Sequence, residues 1–322
     1  MYTRACELLG IRHPVVLAPM GGASDARLVA AVSAAGGLGL GACTWATEGD
    51  IAALTRDIRA VTDRPYGLNF VLHLASPRII AQALDQGVPV LSSFRGDPTG
   101  LVPRIHAAGA RSVHQVTTLH EADQALDAGV DALIVQGNEA GGHCGPHPLM
   151  ALLPAVIDRA GPVPVLAAGG LVDGRGLAAV LALGASGMVM GTRFIATPEC
   201  PATPAHKQAL LAARPGETVW SPMWDILWNE DWPGVGVRAL RNAMLERWHG
   251  KPAELAAHID AARADFAAAV ARDDPTGRAL LAGCGAGRIG GLLPAGQVVA
   301  DVVAEAAAVL AGLVALPRGP RP

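Results

Sequence analysis

One histidine of this sequence lies within a run of small residues. The segment EAGGHCG places His143 directly after Gly141 and Gly142. Histidine takes up and releases protons near neutral pH, and glycine neighbours leave room for a ligand beside the ring. A loop histidine held by ordinary hydrogen bonds is the structural alternative. Because other unusual residues fall on the same side of the predicted fold, we favour a general base or acid.

Two further pairs of small residues are suited to binding a phosphate group. They are GG at 169–170 and GT at 191–192, and each directly follows a predicted strand. Glycine lets backbone N–H groups approach a phosphate closely, and a helix predicted to begin near Gly174 would add its positive end. Such a site needs no lysine, and this chain has lysine only at Lys207 and Lys251. Tight turns without a ligand are the structural alternative.

Polar or small residues follow other apolar runs as well. The first run is followed by Pro19, Met20, Gly21 and Gly22, the third delivers Asn69, the fifth delivers Gln115 and the sixth delivers Gln136. If these runs are parallel strands of one barrel, all of these residues lie at the same end, where active sites of such barrels are built.

The elements that must position these residues alternate along the first two thirds of the chain. Short apolar runs are separated by Ala/Leu-rich segments of helical period, a pattern typical of βαβ units. Candidate helices include 25–35, 48–61, 77–86, 119–128 and 174–183. The eight candidate strands are 15–18, 37–41, 66–70, 88–91, 112–116, 132–135, 163–167 and 187–190. We therefore predict an α/β fold, a (β/α)8 TIM barrel.

An open, doubly wound sheet is the alternative architecture. It would need a glycine fingerprint between an early strand and a helix. The GxGxxG match from Gly285 to Gly290 instead follows an Ala/Leu-rich helical stretch, so we interpret it as a loop.

The sequence changes character after Arg193. Prolines cluster, and five of the 6 tryptophans fall between Trp220 and Trp248. We predict a mainly helical insertion or lid at 196–285, with the barrel formed by 1–195 together with 286–322. An apolar segment at 298–313 has about the length needed for the eighth barrel helix.

Four tryptophans recur at intervals of four residues, which places at least the middle ones on one helical face. They are Trp220, Trp224, Trp228 and Trp232. A stripe that packs the insertion on the barrel is one interpretation, and an aromatic wall over an apolar substrate pocket is another.

Composition narrows the classes of partner. The 322 residues are 51% hydrophobic, and 25 basic residues nearly balance 28 acidic ones. We find no long basic run that would attract nucleic acid or an anionic membrane, so a small-molecule partner is favoured. The N-terminal segment has no long apolar run, and Asp301 and Glu305 interrupt the apolar tail, so we expect a cytoplasmic protein without a membrane span. The sequence does not fix the oligomeric state, and a homodimer stays open.

Cysteine and histidine spacing favours neither a disulfide framework nor a metal site. The five cysteines are scattered without a CxxC pair. His143, Cys144 and His147 are close in sequence, but Gly145 and Pro146 disfavour the helical i,i+4 geometry of a ligand pair, and no third ligand is nearby. We expect no metal.

Taken together, these motifs resemble the nitronate monooxygenase family. The resemblance runs through six segments in order and continues more loosely through WPGVGVRALRN (232–242) and RWHG (247–250). The six segments are PVVLAPMGG (14–22), RPYGLNF (64–70), HQVTT (114–118), GVDALIVQGNEAGGHCG (129–145), PVLAAGGLVDGRG (164–176) and GASGMVMGTRF (184–194).

The resemblance implies an FMN cofactor and a catalytic role for His143. The FMN phosphate would lie at Gly169, Gly170, Gly191 and Thr192. The remaining cofactor-binding positions would be Ala18, Pro19, Met20, Gly21, Gly22, Asn69, Gln115, Gln136, Gly141, Gly142 and Met190. Gln115 departs from the pattern, since some relatives carry lysine there, which leaves the flavin potential and the substrate preference open.

The resemblance also implies a reaction. A nitronate, or a nitroalkane first deprotonated by the histidine, would give electrons to FMN, and O2 would complete conversion to a carbonyl compound and nitrite. The EAGGH motif is shared with FMN-dependent enoyl-acyl carrier protein reductases, and similar barrels act as NADH:quinone reductases. An NAD(P)H-dependent reductase of enoyl thioesters or quinones is therefore the alternative.

A third hypothesis is a flavin-free barrel that binds a phosphorylated metabolite, as an isomerase or as a sensor. A Schiff-base aldolase is disfavoured, because both lysines lie outside the predicted barrel strands.

Overall fold

Eight parallel strands close into a barrel in the computed structural model, which describes residues 1–314. Each strand pairs with the next, and the last pairs with the first. The barrel strands are β1 Val15–Leu17, β2 Leu38–Ala42, β3 Tyr66–Val71, β4 Val90–Phe94, β5 Arg111–Val116, β6 Ala132–Gln136, β8 Val165–Ala168 and β9 Gly187–Met190. The predicted TIM barrel is confirmed.

Helices follow the strands around the outside of the barrel. Those of the barrel region are α1 Arg4–Leu9, α2 Ala26–Ala34, α3 Glu48–Val61, α4 Pro77–Asp85, α5 Val102–Ala107, α6 Leu119–Asp127, α7 Leu149–Ala160, α8 Gly174–Ala182, α9 Thr192–Ile195 and α15 Ala295–Val314. Residues 196–285 contain α10 Pro204–Ala212, α11 Met223–Trp228, α12 Ala243–Trp248, α13 Pro252–Ala257 and α14 Ile259–Ala271.

Side chains alternate between the barrel interior and the layer under the helices. Val16, Leu40, Val113 and Val189 point inward and form one buried cluster. Helix α1, which was not predicted, packs Cys6 and its neighbours into the same cluster and so closes the N-terminal end. The opposite end, where the strands finish, is left for the site.

The fourth strand begins two residues later than predicted. The Val88 N–H donates to Ala83 O, so this residue finishes the turn after α4 instead of joining the sheet. The strand then extends to Phe94, three residues beyond the predicted end, and carries its last side chain toward the site.

A second, antiparallel sheet of three strands was not predicted. It consists of β10 Thr218–Ser221, β11 Gly236–Leu240 and β7 Gly142–Cys144, with β11 in the middle. Strand β7 contains His143, which the sequence placed in a loop, and pairs it with Val237. The region 196–285 is therefore bound to the barrel by main-chain hydrogen bonds. Its status as a separate domain stays a prediction.

Helix α15 completes the outer ring, as predicted, and begins three residues before the predicted start. By length and composition it could cross a membrane, but its inner face packs on α2 and α8. The contact with α8 is close at Gly174, where an added Cβ would lie 2.4 Å from Ala306 N. Glycine is required there because a larger residue would push the two helices apart.

The tryptophan repeat is helical only in its middle. Trp224 and Trp228 lie in α11 with ring centroids 5.9 Å apart. Asn229 ends that helix in a left-handed conformation, φ 60°, so Trp232 leaves the helical face. Trp220 belongs to β10. Trp224 is fully buried in the core of the insertion, which supports the packing interpretation for that residue.

Candidate active site

The strand ends open into a cavity of about 460 Å³. It collects residues from the ends of separate strands that are distant in sequence. Predicted site residues that line it are Ala18, Pro19, Met20, Gly21, Gly22, Asn69, Gln115, Gln136, Gly141, Gly142, His143, Gly169, Gly170, Gly191 and Thr192.

Met190 is the predicted site residue that does not line this cavity. Side chains alternate along β9, so Val189 points into the barrel while Met188 and Met190 point outward into the layer under the helices. Met190 is 1% exposed there. Its side chain therefore does not face the cavity, while its carbonyl accepts a hydrogen bond from Ala18 N at 2.8 Å, and its place in the cofactor site stays a prediction.

One wall of the cavity is made almost entirely of backbone. Gly169 and Gly170 have φ of 121° and 68°, a region that favours glycine, so neither position readily carries a side chain. Gly285 packs against this turn, and an added Cβ there would lie 2.6 Å from Gly170 O. Across the wall, Gly191 leads into the first turn of α9, where backbone N–H groups lack intrahelical acceptors. This wall can accept a compact anion such as a phosphate.

Helix α8 does not contribute its positive end, contrary to the prediction. Carboxylates already occupy its first amides: Gly174 N donates to Glu305 Oε2 at 2.7 Å, and Gly176 N donates to Asp173 Oδ1 at 3.2 Å. In the segment that leads into α8, Val172 is the last residue that lines the cavity, just before the first turn of the helix. The parts of the chain that remain available to bind a phosphate at the predicted position are the two glycine turns and the start of α9.

Three buried amide side chains lie among the cavity residues at the ends of β3, β5 and β6. Asn69 donates from Nδ2 to Ser92 Oγ at 3.1 Å, and Gln115 is 8% exposed. Gln136 Oε1 is buried and has no hydrogen-bond partner among residues 1–314. A buried orphan acceptor is costly unless a ligand supplies a donor. A flavin ring carries donors and acceptors along one edge, so this residue and the backbone wall fit a flavin.

His143 enters the cavity from β7. Its Nε2 lies 2.7 Å from the Oδ1 atom of Asp225, and Asp225 is a residue of α11 in the insertion. The two side chains are only 16% and 10% exposed. The pairing of β7 with β11 fixes the backbone beneath the histidine. A proton-accepting ring is thus held against a buried carboxylate at the wall of the cavity.

Trp232 covers one face of the His143 ring. The ring centroids are 3.7 Å apart and the planes differ by 15°, a stacked arrangement. The indole also meets His73 edge to face, with centroids 5.1 Å apart, and burial lowers the pKa of His73. Trp232 packs on Val71 and Phe94, the last residues of β3 and β4. The insertion thereby closes this side of the cavity with an apolar surface.

The cavity lining carries little formal charge. In the part of the chain that the structure describes, Arg278 is its one residue with a permanent charge, and that guanidinium pairs with Asp273 and donates to Thr203 Oγ1 at 3.1 Å. Burial lowers the pKa of His206 to about 4, and it raises the pKa of Cys144, next to His143, to about 11. Both groups are neutral at pH 7. Of the two lining histidines, His143 is the one whose ring contacts a carboxylate.

Sequence reasoning missed several residues that complete the site. Asp225 gave no signal, since its contact with His143 spans 82 residues. Trp232 was noticed in the tryptophan repeat and in the segment 232–242, and one interpretation placed these aromatics at a substrate pocket, but its stacking on His143 was not predicted. Gly285 was interpreted as part of a loop, yet it packs against the glycine turn after β8. All three come from the part of the sequence whose resemblance was loosest.

Comparison with known proteins identifies the family of this chain. The family model described as "Nitronate monooxygenase" matches residues 3–83 and 76–305. A nitronate monooxygenase of Pseudomonas aeruginosa is 36% identical over 267 residues, 68% of this chain and 76% of the relative.

Two other similar proteins have different names. A Mycobacterium tuberculosis protein named (3aS,4S,5R,7aS)-5-hydroxy-7a-methyl-1-oxo-octahydro-1H-indene-4-carboxyl-CoA dehydrogenase is 40% identical over 248 residues, 76% of this chain and 68% of that relative. The structure of FabK from Thermotoga maritima superposes with a TM-score of 0.87 at 31% identity and covers 98% of this chain and 99% of its own. The protein is accordingly an oxidoreductase of a flavin-dependent type, and since the family model spans most of its length, the chain belongs to the nitronate monooxygenase family.

Proposed function

We propose that this protein uses FMN to oxidise alkyl nitronates with O2, releasing a carbonyl compound and nitrite, and that it also accepts the neutral nitroalkanes. The observation that carries the proposal is that His143 and a phosphate-sized glycine wall line one cavity. The family match and the relative from Pseudomonas aeruginosa support it.

FMN suits the cavity better than a dinucleotide flavin. The turn at Gly169 and Gly170 and the turn at Gly191 and Thr192 line the same wall, and together they offer one anion site. We therefore assign the phosphate to these turns and the ring to the region of Asn69, Gln115 and Gln136. When bound, the flavin supplies two-electron chemistry and reactivity toward O2.

The residues of the chain then bind, orient and shield the substrate. His143 is placed to remove the α-proton of a neutral nitroalkane, which is a carbon acid and needs a positioned base. Trp232 and Phe94 give that side of the cavity an apolar surface that excludes water.

A second candidate is the oxidation or reduction of acyl thioesters. The observation in its favour is that the Mycobacterium tuberculosis relative, whose printed name describes a carboxyl-CoA dehydrogenase, is 40% identical. The FabK structure also matches nearly the full length of the chain. A thioester enzyme of this kind would exchange electrons with a nicotinamide nucleotide or another acceptor instead of relying on O2 alone.

One experiment separates the candidates. The purified protein is examined by absorbance spectroscopy and then titrated without oxygen, in parallel, with propionate 3-nitronate and with NADH. We expect a yellow protein that the nitronate bleaches and NADH hardly affects, with nitrite released when O2 is admitted. Rapid bleaching by NADH alone would favour the thioester or quinone reductase. A colourless protein that does not take up FMN would contradict both and leave the phosphorylated-metabolite barrel.

A further inference from the structure

We propose that Asp225 is the positioning residue for His143: it holds the imidazole as the tautomer with its proton on Nε2 and so leaves Nδ1 as the base. The proposal rests on the proposed function in one respect, namely that the molecule giving up the proton is a nitroalkane. The assignment of the His143 tautomer does not depend on that function. The contact joins Nε2 to Oδ1 at 2.7 Å, between side chains that are 16% and 10% exposed.

The chemistry of the two groups decides which nitrogen carries the proton. An ionised carboxylate only accepts hydrogen bonds, so this contact requires a proton on Nε2. In the neutral ring the lone pair then lies on Nδ1, which has no hydrogen-bond partner among residues 1–314. The opposite tautomer would set the Nε2 lone pair against the carboxylate in a buried setting, where such repulsion is strong.

The helix that carries Asp225 is held in place by packing and by a hydrogen bond to its neighbour. Asp225 lies in the first turn of α11, directly after Trp224, which is fully buried in the core of the insertion. Arg263 Nε, from α14, donates to Leu227 O at 2.9 Å and ties the end of this helix to its neighbour. Asp225 therefore cannot easily follow a moving histidine, and the histidine is held to the position that the insertion sets.

The other restraints on His143 come from the same region of the chain. The stacked Trp232 ring fixes the plane of the imidazole, and pairing of β7 with β11 fixes its backbone. The fixed ring plane, the fixed backbone of β7 and the hydrogen bond from Nε2 to Asp225 together define where Nδ1 lies. The insertion thus contributes the orientation of the base, while the barrel contributes the base's loop and the backbone wall.

The proton balance also involves the carboxylate. The α C–H bond of a neutral nitroalkane breaks, its electron pair stays with the substrate as the nitronate anion, and the proton forms a bond to Nδ1. The ring becomes an imidazolium, whose positive charge then faces the Asp225 carboxylate. This pairing stabilises the charge where water is scarce. A substrate supplied as the nitronate skips the transfer and does not need the arrangement.

The kinetic arm of the test uses Asp225→Asn and Asp225→Glu, with Asp265→Asn as the matched control, because Asp265 is an exposed acid of the same insertion that pairs with Arg247. An amide can donate to Nε2 and so stabilise the wrong tautomer. Asp225→Asn should lower kcat/KM for a neutral nitroalkane roughly 10²-fold or more, the scale of a lost general base. Propionate 3-nitronate should be little affected, Asp225→Glu should recover part of the loss, and the control should behave as wild type.

The second arm reads the tautomer without turnover. Holoenzyme carrying ¹⁵N-labelled histidine is studied by NMR, and the His143 signals are assigned by their loss in His143→Gln. We expect a protonated Nε2 and an unprotonated Nδ1 in wild type, and the reverse in Asp225→Asn. A proton on Nδ1 in wild type overturns the proposal even if no variant folds. The proposal is also overturned if the Asp225→Asn protein folds and keeps both the wild-type tautomer of His143 and the wild-type rate with a neutral nitroalkane.

The two arms also separate this proposal from the proposed function. If nitronates are not oxidised but NMR shows the expected tautomer and its reversal, the function is wrong and the positioning role stands. If nitronates are oxidised but Asp225→Asn slows both substrates equally, with the tautomer unchanged, the function stands and the positioning role is wrong.

Discussion

The indole of Trp232 and the imidazole of His143 lie nearly parallel, with centroids 3.7 Å apart. The two residues come from different parts of the chain, the histidine from β7 and the tryptophan from the segment before β11. The indole N–H donates to Glu230 Oε2 at 2.8 Å, which fixes its rotation. The stack therefore joins the insertion to the group that we propose as the base.

Removing this ring should cost both stability and rate. Trp232 is 7% exposed and packs with Val71, Phe94 and Val235. Trp232→Ala should lower the free energy of unfolding by about 3–5 kcal/mol, the range for large buried aromatics. It should also lower kcat per bound flavin, because the imidazole loses its stacking partner. Thermal denaturation and steady-state kinetics measure the two effects.

The controls for this variant distinguish packing from stacking. Trp232→Phe keeps an aromatic face against His143 and should retain most of the activity. Trp45→Ala should hardly change the denaturation midpoint, since Trp45 is 64% exposed. A Trp232→Ala protein with wild-type stability and kcat would show that the stack has no role.

A side chain at Gly191 should remove the flavin and leave the fold intact. An added Cβ would lie 3.2 Å from Met20 Sδ, the end of a flexible side chain that can move, so the backbone has no reason to unfold. The two further methyl groups of Gly191→Val would take space at the proposed phosphate position. FMN content per protein, read from the absorbance spectrum, should fall sharply.

Gly290→Val is the matched control for Gly191→Val, because nothing lies within 4 Å of a Cβ added there. It should bind FMN as wild type does. Normal flavin content in Gly191→Val would place the phosphate elsewhere and leave this turn with a purely structural role.

The barrel was predictable because its information is local. Each βα unit shows a short apolar run followed by a helical period, and eight units in series specify the closed sheet without knowledge of distant contacts. The antiparallel sheet was not predictable in this way. Strand β7 is only three residues, Gly142–Cys144, with no alternating pattern, and its partner β11 begins at Gly236.

The same reasoning divides the site. Asn69, Gln115 and Gln136 were found because parallel strands in a barrel bring their ends together whatever the loops do. Met190 was placed in the site without following the side-chain alternation along β9, which turns its side chain outward from the barrel, and its role stays a prediction. Asp225 could not be found, since its place beside His143 depends on the path of the whole insertion. Long-range packing, unlike strand periodicity, leaves no spacing rule in the sequence.

Acid should destabilise the fold through His114. This buried residue contacts Ser93 Oγ through Nδ1 at 2.7 Å, and burial lowers its pKa from 6.5 to about 4. Between pH 6.5 and about pH 4 the unfolded chain therefore binds a proton that the folded chain does not. The free energy of unfolding should fall across this window, by on the order of 3 kcal/mol from this group.

The measurement is urea denaturation at several pH values from 7 to 4. His114→Gln should flatten the loss, since no imidazole remains to be protonated on unfolding. His249→Gln, at an exposed position, should leave the pH dependence as it is in wild type. An unchanged slope in His114→Gln would assign the acid sensitivity to other groups, of which His206, whose pKa burial also lowers to about 4, is the first to test.

Replacement of His143 should separate its chemical role from its structural one. His143→Gln keeps a side-chain amide that can donate to the Asp225 carboxylate, so the buried acid is not left without a partner, whereas His143→Ala leaves it unpaired. Both variants lack the base.

Turnover of a neutral nitroalkane should fall by about 10²–10⁴-fold in each variant. A preformed nitronate has already lost its α-proton, so its oxidation rate should stay much closer to wild type. His143→Ala alone should also lose thermal stability. If the rates per bound FMN match wild type for both substrates, His143 is a structural residue of β7 and the catalytic assignment is wrong. If both substrates slow equally in His143→Gln with FMN retained, the imidazole acts by stabilising the bound anion instead of by removing the proton.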